Sequence, residues 1–189
     1  MKVSTIAVGA FGSVYRVYEP RLGLWLAQKS IPKSTVHDHS QYVLNEIRIQ
    51  SWATHQHIVS LFHFYSDEYF VHLLMELVVG DNLAVRLTKH KLMPQQIKRV
   101  ISQLLSALAF LHSNQVVHRD IKPENVLVLD NDFQMVKLCD FGFAYHGQRV
   151  GNDCLGTVDY MAPEMVSGEH YDEKVDVWAL GVMLYDMLA

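Results

Sequence analysis

A short polar stretch between two apolar runs carries the side chains with the clearest potential for chemistry. In "VVHRDIKPENVLV", residues 116–128, it holds Asp120, Lys122 and Asn125. A carboxylate can accept a proton, a lysine can bind an anion, and an amide oxygen suits Mg²⁺. Singly, each has an ordinary explanation, because an isolated Asp or Asn in a loop usually caps a turn. Few folds need all three in one loop, which makes this loop a candidate functional site.

Two further motifs follow this loop. Fifteen residues after Asn125 comes Asp-Phe-Gly, beginning at Asp140, and Ala-Pro-Glu then occupies residues 162–164. Asp140 adds a second carboxylate, so Asn125 and Asp140 together offer the hard oxygen atoms that Mg²⁺ prefers.

Other motifs precede the loop. The stretch "VGAFGSV", residues 8–14, is similar to a glycine-rich loop. Lys29 lies seventeen residues after Gly12, and Glu46 lies seventeen residues after Lys29. A lone Gly-x-x-Gly is a weak signal, and an isolated Lys–Glu pair is usually a solvated surface pair. The order of the whole series therefore carries the interpretation.

This ordered series resembles the motifs of eukaryotic protein kinases, over nearly the whole chain. The stretch around Asp120 resembles the catalytic loop, and Lys122 is similar to the serine/threonine branch of the family. Residues 140–164 resemble the activation segment. The resemblance implies an α+β, bilobal fold with a small β-rich N-lobe and a helical C-lobe.

The resemblance also implies one kinase domain over residues 1–189. Its N-lobe would extend to about residue 76, the hinge would cover about 77–82, and a partial C-lobe would follow from about 83. The chain stops at Ala189, inside a nearly all-apolar helix that the family buries. We therefore expect an incomplete C-lobe and a marginally stable, aggregation-prone chain.

The hydrophobic pattern is consistent with this division. Short β-branched and aromatic runs dominate up to about Glu76, and helical periodicity follows Pro94. The stretch "VVGDNL", residues 78–83, marks the predicted hinge. The predicted elements are strands at 14–18, 24–29 and 71–76, a helix at 42–52, and a long amphipathic helix from Pro94 that buries Ile97, Ile101, Leu104, Leu108 and Leu111.

Phosphoryl transfer requires a protein mainly to position groups and to neutralise the charge that develops on the transferred phosphoryl. By resemblance, Asp120 orients the substrate hydroxyl and accepts its proton, and Lys122 contacts the γ-phosphate. Asn125 and Asp140 would bind Mg²⁺, and Thr157 would connect Asp120 and Lys122 to the substrate side. The resemblance thus implies ATP and Mg²⁺ as cofactors and protein Ser/Thr side chains as substrates.

The nucleotide is expected to lie between the lobes. The resemblance implies that Lys29, fixed by Glu46, holds the α- and β-phosphates, and that Met75 is the gatekeeper behind the adenine. Backbone groups from Glu76 to Val78 would bind the adenine edge. The full set implied in nucleotide binding is Val14, Ala27, Lys29, Glu46, Glu76, Val78, Asn82, Glu124 and Asp140.

Ala7 departs from the family pattern, because it stands where the first glycine of the loop belongs. Alanine resists backbone angles that glycine tolerates, so we expect weaker ATP binding but not its loss. Three hypotheses stay open: an active kinase, a pseudokinase-like nucleotide-binding scaffold, and a non-catalytic fragment that binds partners. The intact set that favours the first comprises Lys29, Glu46, Asp120, Asn125 and Asp140.

Several stretches are most similar to the Aurora kinases, with some similarity to the Polo group. They are "NEIRIQS", "HQHIV" and "CLGTVDYMAPEMVSGEHYDEKVDVWALGV". Gln50 lies four residues after Glu46, where most kinases have an aliphatic residue and Aurora kinases have glutamine. The resemblance implies a cell-cycle kinase with an activating protein partner, located in the cytoplasm or nucleus and at the spindle or centrosome.

The loop "GFAYHGQRVGNDCLGT", residues 142–157, has one hydroxyl, that of Tyr145, before its closing Thr157. In the Aurora pattern a phosphorylated threonine stands where this chain has Asp153, and Arg119 is the basic residue that such a phosphate neutralises. A carboxylate carries one charge where phosphate carries nearly two, so Asp153 is expected to replace it in part. The alternatives are that Asp153 is a solvated loop residue, or that a partner protein orders the loop.

Composition argues against several classes of protein. The formal charge is −4 and the basic residues are scattered, so we expect no nucleic-acid partner. The last apolar run is short and contains aspartates, and the first residues do not resemble a signal peptide, so no membrane association is expected. Cys139 and Cys154 lack CxxC spacing and are predicted to be free thiols. The clusters "HDH" at 37–39 and "HQH" at 55–57 are interpreted as solvated loops without zinc.

Overall fold

Alternating apolar side chains organise the first part of the chain into an antiparallel sheet of five strands. A computed structural model describes residues 2–9, 12–147 and 152–189; Ala10 and Phe11 of the glycine-rich stretch, and 148–151 of the loop before Thr157, lie outside these ranges. The strands are β1 (Lys2–Gly9), β2 (Gly12–Glu19), β3 (Leu24–Pro32), β4 (Leu61–Ser66) and β5 (Phe70–Glu76). Their order in the sheet is β1-β2-β3-β5-β4, so each predicted strand is found, slightly longer than predicted.

Helix α1 (Lys33–Gln50) packs against one face of this sheet. Side chains alternate across a strand, so Ala27 and Ile31 of β3 point to the same face as Lys29. There Ala27 and Ile31 join Val43 of α1 in a buried cluster. Lys29 is therefore held on the helix side of the sheet, facing α1.

The helix predicted at 42–52 exists, but it begins at Lys33, directly after Pro32, and ends at Gln50. Its first turns are polar and carry no apolar repeat, which is why hydrophobic periodicity did not detect them. The interpretation of "HDH" as a loop is wrong, because residues 37–39 lie within this helix.

The second part of the chain is mainly helical, with short strand pairs between the helices. Its elements are β6 (Asp81–Asn82), α2 (Leu83–Lys89), α3 (Pro94–Ser113), β7 (Val116–Val117), a 3-10 turn at Pro123–Asn125, β8 (Val126–Val128), β9 (Val136–Leu138), β10 (Tyr145–His146), a second 3-10 turn at Val158–Tyr160, α4 (Pro163–Val166) and α5 (Lys174–Leu188). Strands β6, β8 and β9 form one small sheet, and β7 pairs with β10.

Helix α3 is the centre of the helical part and confirms the predicted amphipathic helix. Pro94 occupies its first turn, where a missing N–H costs nothing, and the Gln96 side chain accepts a hydrogen bond from Met93 N at 2.9 Å. Its buried residues are Ile97, Val100, Leu104, Ala107, Leu108 and Leu111. Of the predicted apolar face, Ile101 is only partly buried.

The "HQH" stretch lies in a loop as predicted, but its two histidines pack against other residues. His57 is buried and its Nδ1 lies 3.1 Å from the carbonyl oxygen of Val136. The His55 ring stacks on Phe110 of α3, with 5.3 Å between ring centroids. These contacts connect the end of α1 to the helical part, and a pattern of local residue types could not show them.

Helix α5 combines a buried side with an exposed one. Met183 and Asp176 are almost fully buried, whereas Val177, Trp178 and Tyr185 are exposed. None of the helices in the described ranges combines the length and apolarity that crossing a bilayer requires. Both cysteines are free thiols, as predicted.

The fold class is confirmed as α+β, with a β-rich first part and a helical second part. The sheet ends at Glu76, and β6 begins at Asp81 after a short connection. The N-lobe, hinge and C-lobe boundaries stay a prediction.

A carboxylate fixes the turn between β4 and β5. Asp67 Oδ1 accepts hydrogen bonds from Tyr69 N and Phe70 N at 2.8 Å each, and Asp67 Oδ2 accepts one from Nε2 of the buried His72 at 2.8 Å. The bond from His72, assisted by the two amides, lowers the pKa of Asp67 from 3.8 to about 2. The carboxylate is thus favoured in its charged form.

We predict that Asp67→Asn removes part of the acid dependence of folding. A depressed pKa stabilises the folded state above the unfolded value of 3.8, and this contribution is lost as the pH falls from 3.8 toward about 2. Thermal unfolding at pH 7, 4 and 2.5 should show a lower Tm for the variant at pH 7 and a smaller fall in acid. Parallel pH profiles for the two proteins would contradict the role given to Asp67.

Candidate active site

Helix α5 holds the loop that carries Asp120 in place through hydrogen bonds to one of its carboxylates. Asp176 is 1 % exposed and its carboxylate accepts hydrogen bonds from His118 N at 2.9 Å and Arg119 N at 2.8 Å. His112 of α3 donates a third bond from Nε2, at 2.8 Å. Arg119 has a positive φ of 66°, which is uncommon for a residue with a side chain. The Asp176 bonds hold this unusual turn, and the turn directs Asp120.

Asp120 is surrounded by the residues that the sequence grouped with it. Asn125 Nδ2 donates to Asp120 Oδ2 at 2.9 Å and to the Asp120 carbonyl at 2.8 Å. Lys122 Nζ lies 2.9 Å from Asp120 Oδ2. The Thr157 hydroxyl accepts from Lys122 Nζ at 2.7 Å and donates to Asp120 Oδ1 at 2.8 Å. The structure therefore brings all four side chains into one hydrogen-bonded group.

A second group forms around Lys29. Its Nζ donates to both oxygens of Glu46, at 2.6 and 2.8 Å, and to Asp140 Oδ1 at 3.2 Å. Burial works to lower the pKa of Lys29, but the two carboxylates outweigh it and raise the pKa above its ordinary value. Burial would raise the pKa of Asp140, yet Lys29 lowers it below its usual range. At neutral pH the group therefore holds a charged amine beside charged Asp140.

The donor set at Asn125 and Asp140 fits Mg²⁺. Both hydrogen bonds of Asn125 described above use its Nδ2, which leaves the amide oxygen available, and Asp140 is a charged carboxylate. Mg²⁺ is typically bound by one or two such groups together with phosphate oxygens of a substrate. No cluster of three or more His, Cys, Asp or Glu with metal-binding geometry occurs within the described ranges. The two protein ligands suit a cation that arrives with a phosphate.

A cavity of about 430 Å³ lies between the sheet and the helical part. Its volume is within the usual range for small-molecule sites. Its apolar walls include Val14, Ala27, Met75 and Leu127, and Lys29 with Asp140 lies at its polar end. All nine residues predicted to contact a nucleotide line this cavity: Val14, Ala27, Lys29, Glu46, Glu76, Val78, Asn82, Glu124 and Asp140.

Two of these nine residues, Glu76 and Asn82, also form side-chain hydrogen bonds that stabilise the fold. The Glu76 carboxylate accepts a hydrogen bond from Lys137 Nζ of β9 at 2.9 Å, which ties the end of the sheet to the helical part. The Asn82 side chain caps α2 by accepting from Val85 N at 2.9 Å. Each side chain therefore already uses one acceptor oxygen within the protein. The sequence pattern did not predict these hydrogen bonds.

The described residues of the glycine-rich stretch lie at the end of β1 and at the start of β2. Ala7 lies in β1 opposite Val14, and it lines the cavity. Gly12 lies so close to β3 that a Cβ there would collide with the carbonyl oxygen of Ser30. Gly12 is thus required by packing, whereas Ala7 is accommodated within the strand.

Helix α1 contacts the start of the predicted activation segment as well as Lys29. Asn45, next to Glu46, donates from Nδ2 to the Ala144 carbonyl at 3.4 Å. The Tyr42 and Phe143 rings meet edge to face with centroids 5.5 Å apart. Gln50, further along the helix, is buried and donates from Nε2 to the Val59 carbonyl at 3.1 Å.

The end of this segment approaches the loop that carries Asp120 through a glycine. Gly156 has φ +118°, and a Cβ there would collide with the carbonyl oxygen of Arg119. This close approach places the neighbouring Thr157 beside Asp120. Asp153 Oδ2 lies 3.8 Å from Arg119 Nη1, so the predicted ion pair is present, although the Asp153 side chain is 66 % exposed.

Sequence reasoning missed two residues that support the site. Asp176 is one of the two aspartates of the last apolar run, and a carboxylate in such a helix is itself a signal of a buried partner. Tyr171, between α4 and α5, is 6 % exposed and its hydroxyl bonds to the activation segment. Nothing in the local sequence indicates that contact.

Comparison with known proteins agrees with this geometry. The protein kinase domain family matches residues 1–189. The chain belongs to this family. Aurora kinase from Schizosaccharomyces pombe is 38 % identical to it, across 95 % of the chain and 51 % of that kinase. Aurora kinase A-B from Xenopus laevis is 38 % identical, across 95 % and 45 %.

A serine/threonine-protein kinase of another name, ULK3 from Xenopus laevis, is 36 % identical across 95 % of the chain and 40 % of its own length. The predicted similarity to Aurora kinases is confirmed, and the similarity to ULK3 was not anticipated. The kinase chain spans about half the length, or less, of these curated relatives.

We predict that Gly156→Ala destabilises this kinase chain more than Gly168→Ala does. Both glycines have left-handed backbone angles, but a Cβ added at Gly168 would meet no atom within 4 Å, whereas one at Gly156 would meet Arg119. The left-handed strain alone should cost Gly168→Ala about 1–2 kcal/mol in the free energy of unfolding. Urea denaturation of both variants measures the difference. Equal losses would show that the Gly156 contact with Arg119 is unimportant.

Proposed function

We propose that this chain is the catalytic part of a serine/threonine protein kinase, which transfers the γ-phosphate of Mg·ATP to protein hydroxyl groups. The observation that carries the proposal is the Asp120 carboxylate, held by Asn125, Lys122 and Thr157. Asn125 also lines the cavity, so this carboxylate lies beside the proposed nucleotide site. A scaffold that only binds nucleotide has little need of such an arrangement.

Each group of the site has a role in this proposal. Asp120 orients the substrate hydroxyl and accepts its proton as the hydroxyl oxygen becomes bonded to phosphorus. Lys122 and Lys29 offset negative charge on phosphate oxygens, and Glu46 keeps Lys29 in position. Mg·ATP, when bound, supplies the phosphoryl group and a cation that neutralises part of its charge.

Asn125 and Asp140 are the residues that would hold the cation. Protein kinases as a family use ATP and Mg²⁺, and the amide and carboxylate oxygens here suit that cation. The apolar walls at Val14, Ala27 and Met75 would enclose the adenine, beside backbone groups from Glu76 to Val78. Roles for Asn82 and Glu124 at the ribose side of the cavity complete the proposed site.

A nucleotide-binding scaffold without transfer is the second candidate. Ala7 favours it, because this residue replaces a glycine in the strand that covers the cavity. A scaffold of this kind would bind ATP without phosphorylating any substrate.

The wider biology is proposed from the similarity to Aurora kinases. We infer protein substrates with Ser/Thr side chains, an activating protein partner, and a location in the cytoplasm or nucleus that includes the spindle or centrosome. The scattered distribution of basic residues supports the proposal that nucleic acid is not a partner.

The first test compares Asp120→Asn with Lys29→Met and Asp140→Asn. Asp120→Asn should reduce phosphorylation of a basic peptide by about 10²–10⁴-fold, because the proton acceptor is lost. Its ATP affinity, followed by thermal shift, should stay nearly unchanged. Lys29→Met should weaken ATP binding, and Asp140→Asn should raise the Mg²⁺ requirement or end turnover.

The outcomes separate the two candidates. Transfer by the parent chain that disappears in Asp120→Asn supports the kinase, whereas ATP binding without transfer in the parent supports the scaffold. Full activity of Asp120→Asn would contradict the assignment of the proton acceptor. Identical ATP-dependent stabilisation of all three variants would show that the roles are wrongly divided.

The second test concerns the Thr157 hydroxyl. Thr157→Val keeps the size of the side chain but removes both hydrogen bonds, so kcat should fall roughly 10²- to 10⁴-fold, about the value of two lost hydrogen bonds to charged groups. Thr157→Ser retains the hydroxyl and should stay within a few-fold of the parent. Steady-state kinetics at saturating ATP distinguishes them, and equal kcat values for Val and Ser would refute a role for this hydroxyl.

A further inference from the structure

The Tyr171 hydroxyl lies between the catalytic loop and the activation segment. It accepts a hydrogen bond from Arg119 Nη1 at 3.3 Å and donates one to the carbonyl oxygen of Asp153 at 2.9 Å. The ring is buried in a cluster with Val117, Ala162 and Val175, so the hydroxyl is held from behind by packing. Tyr171 thus connects the loop that carries Asp120 with the activation segment. The proposed reaction requires these two segments to keep a fixed relative position.

The Arg119 side chain, which donates to the Tyr171 hydroxyl, is itself held firmly in place. Its guanidinium donates from Nε to the Phe143 carbonyl at 2.6 Å and lies over the Tyr145 ring, 5.6 Å from the centroid. Arg119 is only 7 % exposed, and Asp176 holds its backbone. A buried guanidinium with several partners has little freedom to move, so it can hold the Tyr171 hydroxyl in one place.

The two bonds to Asp153 differ in strength. The ion pair between Arg119 and the Asp153 carboxylate spans 3.8 Å, and that carboxylate is two-thirds exposed. Exposed ion pairs contribute little because water and salt screen them. The bond from the Tyr171 hydroxyl goes to the Asp153 backbone, is shorter, and has a buried donor. The side chain of Asp153 is therefore the weaker of the two connections.

The Asp153 carbonyl also accepts the first of a series of contacts that position Thr157. It accepts a second hydrogen bond from Leu155 N at 3.1 Å, which closes a tight turn. Gly156 then packs on the Arg119 carbonyl, and Thr157 reaches Asp120. A shift at Asp153 would move this turn and withdraw the Thr157 hydroxyl from Asp120.

We propose that Tyr171 is a positioning residue of the kinase: its hydroxyl holds the activation segment at the Asp153 backbone in the unmodified chain. Residues 153–157 are thereby held in place without a phosphate on them. Asp153 contributes through its carbonyl oxygen more than through its carboxylate. Only the activity measurement for this inference rests on the proposed phosphotransfer function.

The structural test is hydrogen exchange of the Leu155 amide in the full chain. Tyr171→Phe keeps the buried ring and removes only the hydroxyl, and loss of its hydrogen bond to the Asp153 carbonyl should speed exchange about five-fold. Asp153→Asn keeps the backbone carbonyl and should change exchange less than about two-fold, as expected for an exposed ion pair. Tyr65→Phe, which removes a hydroxyl bonded to Gln28 in the sheet, is the matched control and should leave Leu155 unaffected.

The catalytic test uses the same variants after phosphatase treatment. The treated parent should retain its activity, and Tyr171→Phe should lower kcat about five- to ten-fold, the value of the lost hydrogen bond to the Asp153 carbonyl, with an unchanged KM for ATP. The proposal is overturned if Tyr171→Phe exchanges like the parent, if Asp153→Asn has the larger effect, or if phosphatase silences an active parent. If the parent transfers no phosphate, the proposed function fails, while the exchange experiment still decides the role of Tyr171.

Discussion

The buried carboxylate of Asp176 is the constraint on which the rest of the site depends. One acidic side chain in an apolar helix satisfies the backbone amides of His118 and Arg119, and a histidine from α3 bonds to it as well. Burial of an unpaired carboxylate would be costly, so these bonds must form together. They fix the strained backbone at Arg119, and from that one turn Asp120 points toward Thr157 while the Arg119 side chain points toward Tyr171.

The site then assembles from two groups that share the cavity. Lys29, Glu46 and Asp140 form one group at its polar end, and Asp120 with its neighbours forms the other. Asn125 contacts Asp120 and also lines the cavity, so it links the two groups. In the first group Lys29 comes from the sheet, Glu46 from α1 and Asp140 from the loop after β9, and the second group comes from loops packed on α3 and α5. Both layers of the fold are therefore needed.

Much of this arrangement was predictable because the informative residues occur in ordered motifs or in strong periodic patterns. The face of α3 and the strands around Lys29 follow from apolar spacing, and the members of both charged groups follow from motif order. The remaining features depend on contacts between residues distant in sequence. The polar start of α1 has no apolar repeat, His57 is buried by Val136 and its neighbours, and Tyr171 gains its role only when the segment folds over it. Residue type alone does not predict such long-range contacts.

The contacts of α1 with Phe143 and Ala144 give the molecule a thermodynamic property beyond static support. The same helix carries Glu46, which holds Lys29, so one rigid element touches both the cavity and the activation segment. Linkage requires such influence to be mutual: any free energy by which an ordered segment favours the position of α1 is returned by a ligand that favours the same position. A molecule that fills the cavity and favours this position of α1 therefore also favours the ordered segment without touching it, and a protein that binds and orders the segment raises the affinity of the cavity for that molecule by the same factor.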